Sequence, residues 1–578
     1  MLLGISESIS KRKKESALIM RKQTKLVAVL STAALLALGA SMSSFAATGW
    51  QEENGTWVYY DKSGDQVTEK WEKSGDNWFY LDEDGEMATD VLVEYDDNYY
   101  YVDENGSMIT NKWVSIENED YDGEDDTDPA NYWYYFGANG KAYKTSSTST
   151  SASFKTINGK KYIFDDEGKM LYGWINSEGE RETTDEDEWK NGDYYCGDEN
   201  DGAQTIGWAY IDIVDSDYTT EGQGLSSGNV FDDENQTRYF YFKTNGKKMT
   251  DEKGKTINGK KYSFDEDGRM NAEWVNWSTT PSTASLGDAT YTEGYRYYGS
   301  PEDGARVTKG WFQVVPDSYL NSDDYDDDST NWYYSDKDGK LVASEIKTIN
   351  GKKYLFDNYG AMQDGLRAVL FATGSTTEVE DIADSDDLSA YNFDTETEFK
   401  DNVSGLYTTA GYRLFYFGSG DDGSMKTGKQ SITIDGDSFT FLFNKSGSSK
   451  GQGKFGVDDD KYYLGGMLMQ ADKDDKYSVV KATQENGVYT EITLLTTEQF
   501  LDDVDATSSI PTGDEDDYEE YYDVSTKAKD TTVGGVTTIY RLVNTSGTVQ
   551  KSKTKAKDGD DRCYTVESKE IKTVYVES

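Results

Sequence analysis

The chain has 578 residues, 109 acidic against 58 basic, a formal net charge of -51 and no histidine. Without imidazole, Ser-His-Asp and Cys-His catalysis, histidine-ligated zinc and histidine proton relays are excluded. A field this acidic also excludes nucleic acid or an anionic bilayer as a partner held by long-range attraction.

Residues 1–47 read as a secretory signal, with Met20 the better start: Arg21, Lys22 and Lys25 are basic, Leu26 to Ala40 is apolar, and Ser44-Phe45-Ala46-Ala47 supplies a small-residue cleavage site. An apolar run of about 15 residues is short for a membrane span, so no span is expected after cleavage. The other end, Lys572 to Ser578, carries no apolar tail, from which non-covalent attachment is expected.

Residues 48–144 repeat at 21 residues. Trp50, Trp71 and Trp113 lie on that grid with Leu92 in the remaining slot; Trp57, Trp78 and Tyr99 form a second row, and Tyr59, Tyr80 and Tyr101 a third. Asp61, Asp82 and Asp103 are each followed three residues later by Gly64, Gly85 and Gly106. Thr56 to Tyr60 has strand composition, Asp61 to Gly64 is a turn, and Gln66 to Thr68 is read as the returning strand. A single hairpin is marginal in water, so the units must stack on their neighbours. The expected fold class is all-β, a repetitive and elongated β-hairpin solenoid with acidic loop inserts.

Gly49-Trp50 through Trp57-Val58-Tyr59-Tyr60 to Gly64, and Trp71 through Trp78-Phe79-Tyr80 to Gly85-Glu86-Met87, resemble the cell-wall-binding (choline-binding) repeats of Gram-positive surface proteins. Similar repeats occur in glucan-binding proteins and in the C-terminal binding regions of large bacterial toxins. The resemblance implies ligand pockets between consecutive repeats, walled by aromatic rings with a methionine at the base. Met87 and Met108 match that place, and Gln66 departs from it. Side chains alternate across a strand, so Trp57 and Tyr59 share a face that Trp71, Trp78 and Tyr80 of the next unit are expected to approach. The candidate ligand-binding set is therefore Trp50, Trp57, Tyr59, Trp71, Trp78, Tyr80, Met87, Tyr99, Tyr101, Met108 and Trp113. Rings so placed suit a quaternary ammonium, and they equally suit a core, since stacked hairpins have little else to bury.

A Ser/Thr-rich linker, 145–154, separates these repeats from a longer period. Lys155-Thr156-Ile157-Asn158-Gly159-Lys160-Lys161-Tyr162 returns at Lys255 and at Lys347, which divides the chain into modules at 155–254, 255–346 and 347–430. Acidic inserts such as Glu117 to Asp128 and Asp323 to Asp328 fall between the hairpin marks. Residues 431–578 hold degenerate repeats and an unassigned stretch from 476 to 535, within which Thr497 to Asp505 reads as a helix.

No metal or cofactor is expected. Asp82-Glu83-Asp84-Gly85 and its equivalents lack the third alternating ligand and distal Glu of a calcium loop, and the turn accounts for both Asp and Gly. Cys196 and Cys563 lack metal spacing and read as structural or incidental thiols. The functional reading is a secreted, non-catalytic, cell-wall-associated protein whose partner is a wall polymer, choline-substituted teichoic acid or wall glycan. A glucan- or host-glycan-binding adhesin is the second reading, and a wall hydrolase with its site in 470–578 the third.

Overall fold

The computed structural model describes residues 48–121, 128–183, 186–216, 234–277, 292–385 and 387–578. The signal segment at 1–47 and the middle of the first acidic insert, 122–127, lie outside them. The chain divides into two units. One holds the described residues up to Tyr172 with Glu178–Glu180 and Gly197–Ala203, and the other holds Gly173–Ser177, Arg181–Cys196 and Gln204–Ser578.

The first unit is built from two-stranded antiparallel hairpins: Gly49–Glu53 with Thr56–Tyr60, Lys70–Ser74 with Asn77–Leu81, Val91–Tyr95 with Asn98–Val102, Lys112–Glu117 with Asn131–Phe136, and Lys155–Ile157 with Lys160–Tyr162. The pairing differs from the sequence expectation. The partner of Thr56–Tyr60 is the strand before it, and Gln66 returns only as a single bridge to Tyr60. The reason is the two-residue turn Asn54-Gly55, both at positive φ (53° and 90°), the backbone that matches the right-handed twist of paired strands. The recurrent Asn-Gly of the longer period does the same work at Asn158-Gly159, Asn258-Gly259 and Asn350-Gly351.

After each hairpin an Asp closes a second turn. Asp61 Oδ1 accepts from the backbone N–H of Ser63 and Asp65, and Asp82, Asp103, Asp165, Asp265, Asp336 and Asp357 repeat the arrangement two and four residues on. These carboxylates are occupied as turn acceptors, which is why Asp recurs there.

Stacking rests on two contacts. The N–H two residues past the turn glycine donates to a carbonyl of the preceding hairpin: Met87 to Trp57 (2.7 Å), Met108 to Trp78 (2.9 Å), Ala142 to Tyr99 (2.8 Å) and Met170 to Trp133 (2.8 Å). The same bond joins Met270 to Tyr239, Arg306 to Lys261 and Met425 to Lys353 in the second unit, each at 2.8 Å. Second, each turn glycine sits on the residue that holds this position one repeat earlier. A Cβ on Gly106 would lie 2.9 Å from Met87 Sδ, and Gly140 covers Met108, Gly202 covers Met170, Gly304 covers Met270 and Gly423 covers Met362. With φ at +76° in Gly106 and +55° in Gly304, both the backbone and the space require glycine.

In the second unit the hairpins continue (Gly207–Val214 with Asn235–Phe242, Glu252–Ile257 with Lys260–Phe264, Gly310–Val314 with Asn331–Ser335) and then give way to wider sheets. Two three-stranded sheets, one five-stranded sheet and two four-stranded sheets occupy residues 345–578. Helix Glu396–Thr408 was not expected. Its signals are a Thr395 cap that accepts from Glu398 N–H and the buried row Phe399, Val403, Leu406 and Tyr407 at helical spacing. The predicted helix is present as Thr497–Asp503, opened by a reciprocal Thr496–Gln499 capping box. The unassigned 476–535 segment supplies Tyr477–Glu485, Val488–Leu495 and Tyr518–Asp523, strands of the two four-stranded sheets. Their cores are largely aliphatic, with Val479, Val480, Ala482, Ile492, Leu542 and Val543 fully buried.

Both cysteines are free and buried, and burial pushes the Cys196 thiol up to about 12. Among the described residues no helix is long and apolar enough to cross a membrane.

Candidate aromatic binding site

The eleven candidate residues separate into two sets, because strand alternation sends them to different surroundings. Trp50, Trp71 and Trp113 are mortar between hairpins. Trp50 meets Tyr59 across its own hairpin and Phe79 of the next, both edge-on with centroids 5.3 Å apart. Trp71 meets Tyr80 at 5.2 Å and Tyr100 of the next hairpin at 5.1 Å. Trp113 meets Tyr135 at 5.2 Å, Tyr162 at 4.9 Å and Phe164 at 5.8 Å. Edge-to-face pairs of this kind add about 0.5–1.5 kcal/mol each beyond the area they bury. The Nε1 of Trp50 and Trp71 is buried without a hydrogen-bond partner, so these rings stand where packing, and not polarity, selects them.

Tyr80 and Tyr101 are half-buried at the flank of this row. Tyr80 lies 6.1 Å from Tyr95, and Tyr101 lies 6.1 Å from Phe136 while its hydroxyl donates to Asp90 Oδ1 at 2.6 Å. Burial, that hydrogen bond and the Asp90 charge raise the Tyr101 pKa and keep the phenol neutral.

Trp57, Trp78 and Tyr99 form the outward row. Trp78 is 41% exposed, and among the described residues none of the three has a ring partner. Lys73 Nζ lies 6.0 Å from the Trp78 ring and Lys144 Nζ 5.2 Å from Tyr99, so cations of the chain already rest against two of them. Trp57 is not brought into ring contact with Trp71, Trp78 or Tyr80. Met87 and Met108 lie beneath the glycines of the following turns, as described above, and serve as seats for the next repeat.

One aromatic arrangement was missed by the sequence reading. The hairpin Gly207–Val214 with Asn235–Phe242 has strands of eight residues, and its extra length pairs Tyr210 with Tyr239. The two rings lie 4.4 Å apart at 30°, and Tyr210 is 60% exposed. They line a shallow surface cleft, about 20 Å³ in volume, with Thr237, Arg238, Met270, Pro301 and Glu302. The signal was available: Trp208 and Tyr210 alternate on one strand as Tyr239 and Tyr241 do on the other.

The first hairpins thus combine an inward row, Trp50, Trp71, Leu92 and Trp113, with an outward row, Trp57, Trp78 and Tyr99, at fixed spacing. Residues 67–113 match the choline-binding repeat family, and residues 128–142 and 327–341 match the putative cell wall binding repeat. Those three segments are repeats of the choline-binding, cell-wall-binding type. It is 25% identical over 264 residues to Glucosyltransferase-S of Streptococcus mutans serotype c, covering 40% of this chain and 16% of that protein. It is 27% identical over 241 residues to Glucosyltransferase-I of Streptococcus downei, covering 40% of this chain and 12% of that protein. The chain thus spans less than a fifth of either relative. Among solved structures, choline binding protein F of Streptococcus pneumoniae aligns at 16% identity and a TM-score of 0.29, over 71% of this chain and 100% of that one. The autolysin LytC of the same organism aligns at 17% identity and a TM-score of 0.29, over 58% of this chain and 57% of that one.

Proposed function

We propose that this is a secreted, non-catalytic protein that attaches non-covalently to a cell-wall polymer, choline-substituted teichoic acid or wall glycan, through aromatic surfaces between hairpins stacked as a solenoid. The observation that carries the reading is the outward row Trp57, Trp78 and Tyr99, repeated at 21 residues, of which Trp78 and Tyr99 lie within the segment that matches the choline-binding repeat. Packing does not require an exposed indole such as Trp78, whereas a cation-binding face does. One such face, at roughly 0.5–2 kcal/mol per ring, supports about millimolar affinity once association costs are met. Several faces on one chain against a repetitive polymer gain avidity of about 10²-fold or more.

The test is retention of the full chain on a tertiary-amine resin in high salt, which suppresses ion exchange by this acidic protein, followed by elution with free choline. Retention lost in Trp78→Ala and kept in Trp113→Phe supports the outward row; equal loss in both refutes it. The second reading, a glycan-binding adhesin, is favoured by Tyr210 lying exposed against Tyr239 beside the Glu302 carboxylate, an arrangement suited to a sugar ring. Glucan retention abolished by Tyr210→Ala, with choline without effect, would make that reading the leading one.

A further inference from the structure

The joint between the hairpin Glu252–Ile257/Lys260–Phe264 and the turn ending at Arg306 uses the same backbone bond as the others, Arg306 N–H to Lys261 C=O at 2.8 Å. Its side chains are inverted in charge. The carbonyl belongs to an aromatic residue at Trp57, Trp78, Tyr99, Trp133 and Tyr239, and to a lysine here, Lys261, as at Lys353. The seat under the next turn glycine is methionine at Met87, Met108 and Met270, and here it is Arg306, covered by Gly339. A ring and a thioether have been exchanged for two cations, in a chain with nearly twice as many acids as bases.

The surroundings add donors and no neutralising partner. Arg306 and Arg296 are 8% and 5% exposed, and each guanidinium lies 4.9 Å from the ring of Trp277. Room for them is made by a bulge at Gly254 (φ +83°), where a Cβ would stand 3.0 Å from both Arg306 and Trp277. Neither arginine has an ion-pair partner among the described residues. The nearby carboxylates are engaged elsewhere: Glu293 with Lys340 at 3.6 Å, Asp338 with Lys337 at 2.7 Å, and Asp336 as acceptor for its own turn. Arg296 gives one nitrogen to the carbonyls of Glu293 and Tyr295. Among the described residues the Nε of neither arginine has a hydrogen-bond partner, while the fully buried Tyr298 hydroxyl lies among Ser263, Trp277 and Arg306. Burial and the charge of Arg306 both act to lower the Arg296 pKa, the signature of two like charges sharing one enclosure. Buried polar groups left unsatisfied in one place require a partner from outside.

We propose that the joint of Lys261, Arg296, Arg306, Trp277 and Tyr298 is an anion site that takes a phosphoryl group, either the phosphodiester of a wall polymer or free phosphate. Arginine forks match the oxygens of phosphate, and donors on several residues exceed what a carboxylate's two oxygens use. The polymer form rests on the wall-binding function proposed above: along one chain, outward rings would hold cationic substituents while this joint holds the anionic backbone between them.

The full chain is titrated by calorimetry at constant ionic strength, in one arm with inorganic phosphate and in another with a glycerol-phosphate oligomer, chloride being the reference salt. The expected result is saturable binding at about millimolar concentration. It should weaken roughly tenfold or more in Arg306→Met, a residue that already fills the equivalent seat at Met270, because charge-assisted hydrogen bonds are lost. Lys261→Gln, an exposed position, should weaken binding less and leave the thermal transition in place, and so serves if Arg306→Met fails to fold. Binding of the oligomer more tightly than phosphate assigns the site to a polymer; phosphate alone assigns it to a free ion. No saturable phosphate signal in the native chain, or unchanged affinity in both variants, overturns the proposal. Choline-resin retention is scored in parallel: its persistence in Arg306→Met with phosphate binding lost separates this site from the aromatic one, and its absence in the native chain refutes the choline reading alone.

Discussion

The hairpins of residues 49–143 and the sheets of residues 366–578 solve the same problem with different materials. Three of the four N-terminal hairpins contribute two tryptophans each and the fourth four tyrosines, and their rings meet partners that belong to the next hairpin, as Trp50 does with Phe79 and Trp71 with Tyr100. The C-terminal sheets have three to five strands, a helix of 13 residues laid against them and a core of Val, Ile, Leu and Phe drawn from sequence-distant elements. Burial in the first case is shared along a line of neighbours, and in the second it is pooled. Repeats of the first kind leave one face of each hairpin free for a ligand; a pooled core consumes every face it has.

That contrast can be broken at its strongest point first. Phe441 is fully buried in the pooled core, packed edge-on against Phe399 at 5.5 Å. Phe441→Ala is expected to destabilise it by about 3–5 kcal/mol, and calorimetry should show the loss confined to one transition, with choline-resin retention intact below it. Trp71→Ala is expected to have a smaller effect, about 2–3 kcal/mol given its partial burial, but to reach two hairpins at once. Hydrogen exchange should show protection lost in both Lys70–Ser74/Asn77–Leu81 and Val91–Tyr95/Asn98–Val102, and loss in only the first would mean that the repeats do not share their burial.

Next is the seat of a repeat. Gly304→Ala imposes a Cβ on the Met270 side chain at a φ of +55° and should cost about 1–3 kcal/mol in thermal unfolding. The double variant with Met270→Ala should recover part of that loss, since only the steric share is relieved. Additive losses would show that backbone strain alone selects the glycine.

The last effect is electrostatic and is read as a slope with pH. Burial raises the Asp357 carboxyl from its ordinary 3.8 to about 7, although it accepts N–H groups of Tyr359 and Ala361. Between about pH 4 and pH 7 the unfolded chain has released this proton and the folded chain retains it. The group's contribution is therefore complete below pH 4, falls as pH rises to 7 and is constant above. Asp357→Asn should flatten that segment of the stability profile measured by thermal unfolding. The substitution suits the turn, because Asn544 accepts the N–H groups of Ser546 and Thr548 in the same arrangement.

The local rules were legible in the sequence and the long-range ones were not. Trp50, Trp71 and Trp113, the Asp-x-x-Gly turns and the Asn-Gly pairs announce hairpins because each is fixed within a few residues. The choice of partner for Thr56–Tyr60 was misread, since both neighbours have strand composition and only the two positive φ values at Asn54-Gly55 decide. The candidate site was legible as a set of rings and not as a constellation: the grid gives the positions of Trp57 and Trp71, while their faces depend on how one hairpin lies on the next. Tyr477–Glu485 pairs with Val536–Asn544, across fifty residues that include a helix and three other strands. No periodic signal marks a partner so far away, and helix Glu396–Thr408 was hidden by the expectation that the repeat continues through it.

The glycine seats have a consequence for how such a chain can change. From Gly64 through Gly360 and on to Gly423 the interval between a turn glycine and its seat residue never varies from two, while successive turn glycines are separated by as few as 21 and as many as 63 residues. All the surplus enters elsewhere, in the links between repeats or the connection between paired strands. Length is thus uncoupled from assembly: material can be added to or removed from any repeat without altering the contact that joins it to its neighbours. A lineage could therefore write new surface onto each repeat independently, one outgrowth at a time, while the joints stay under a single unchanging rule.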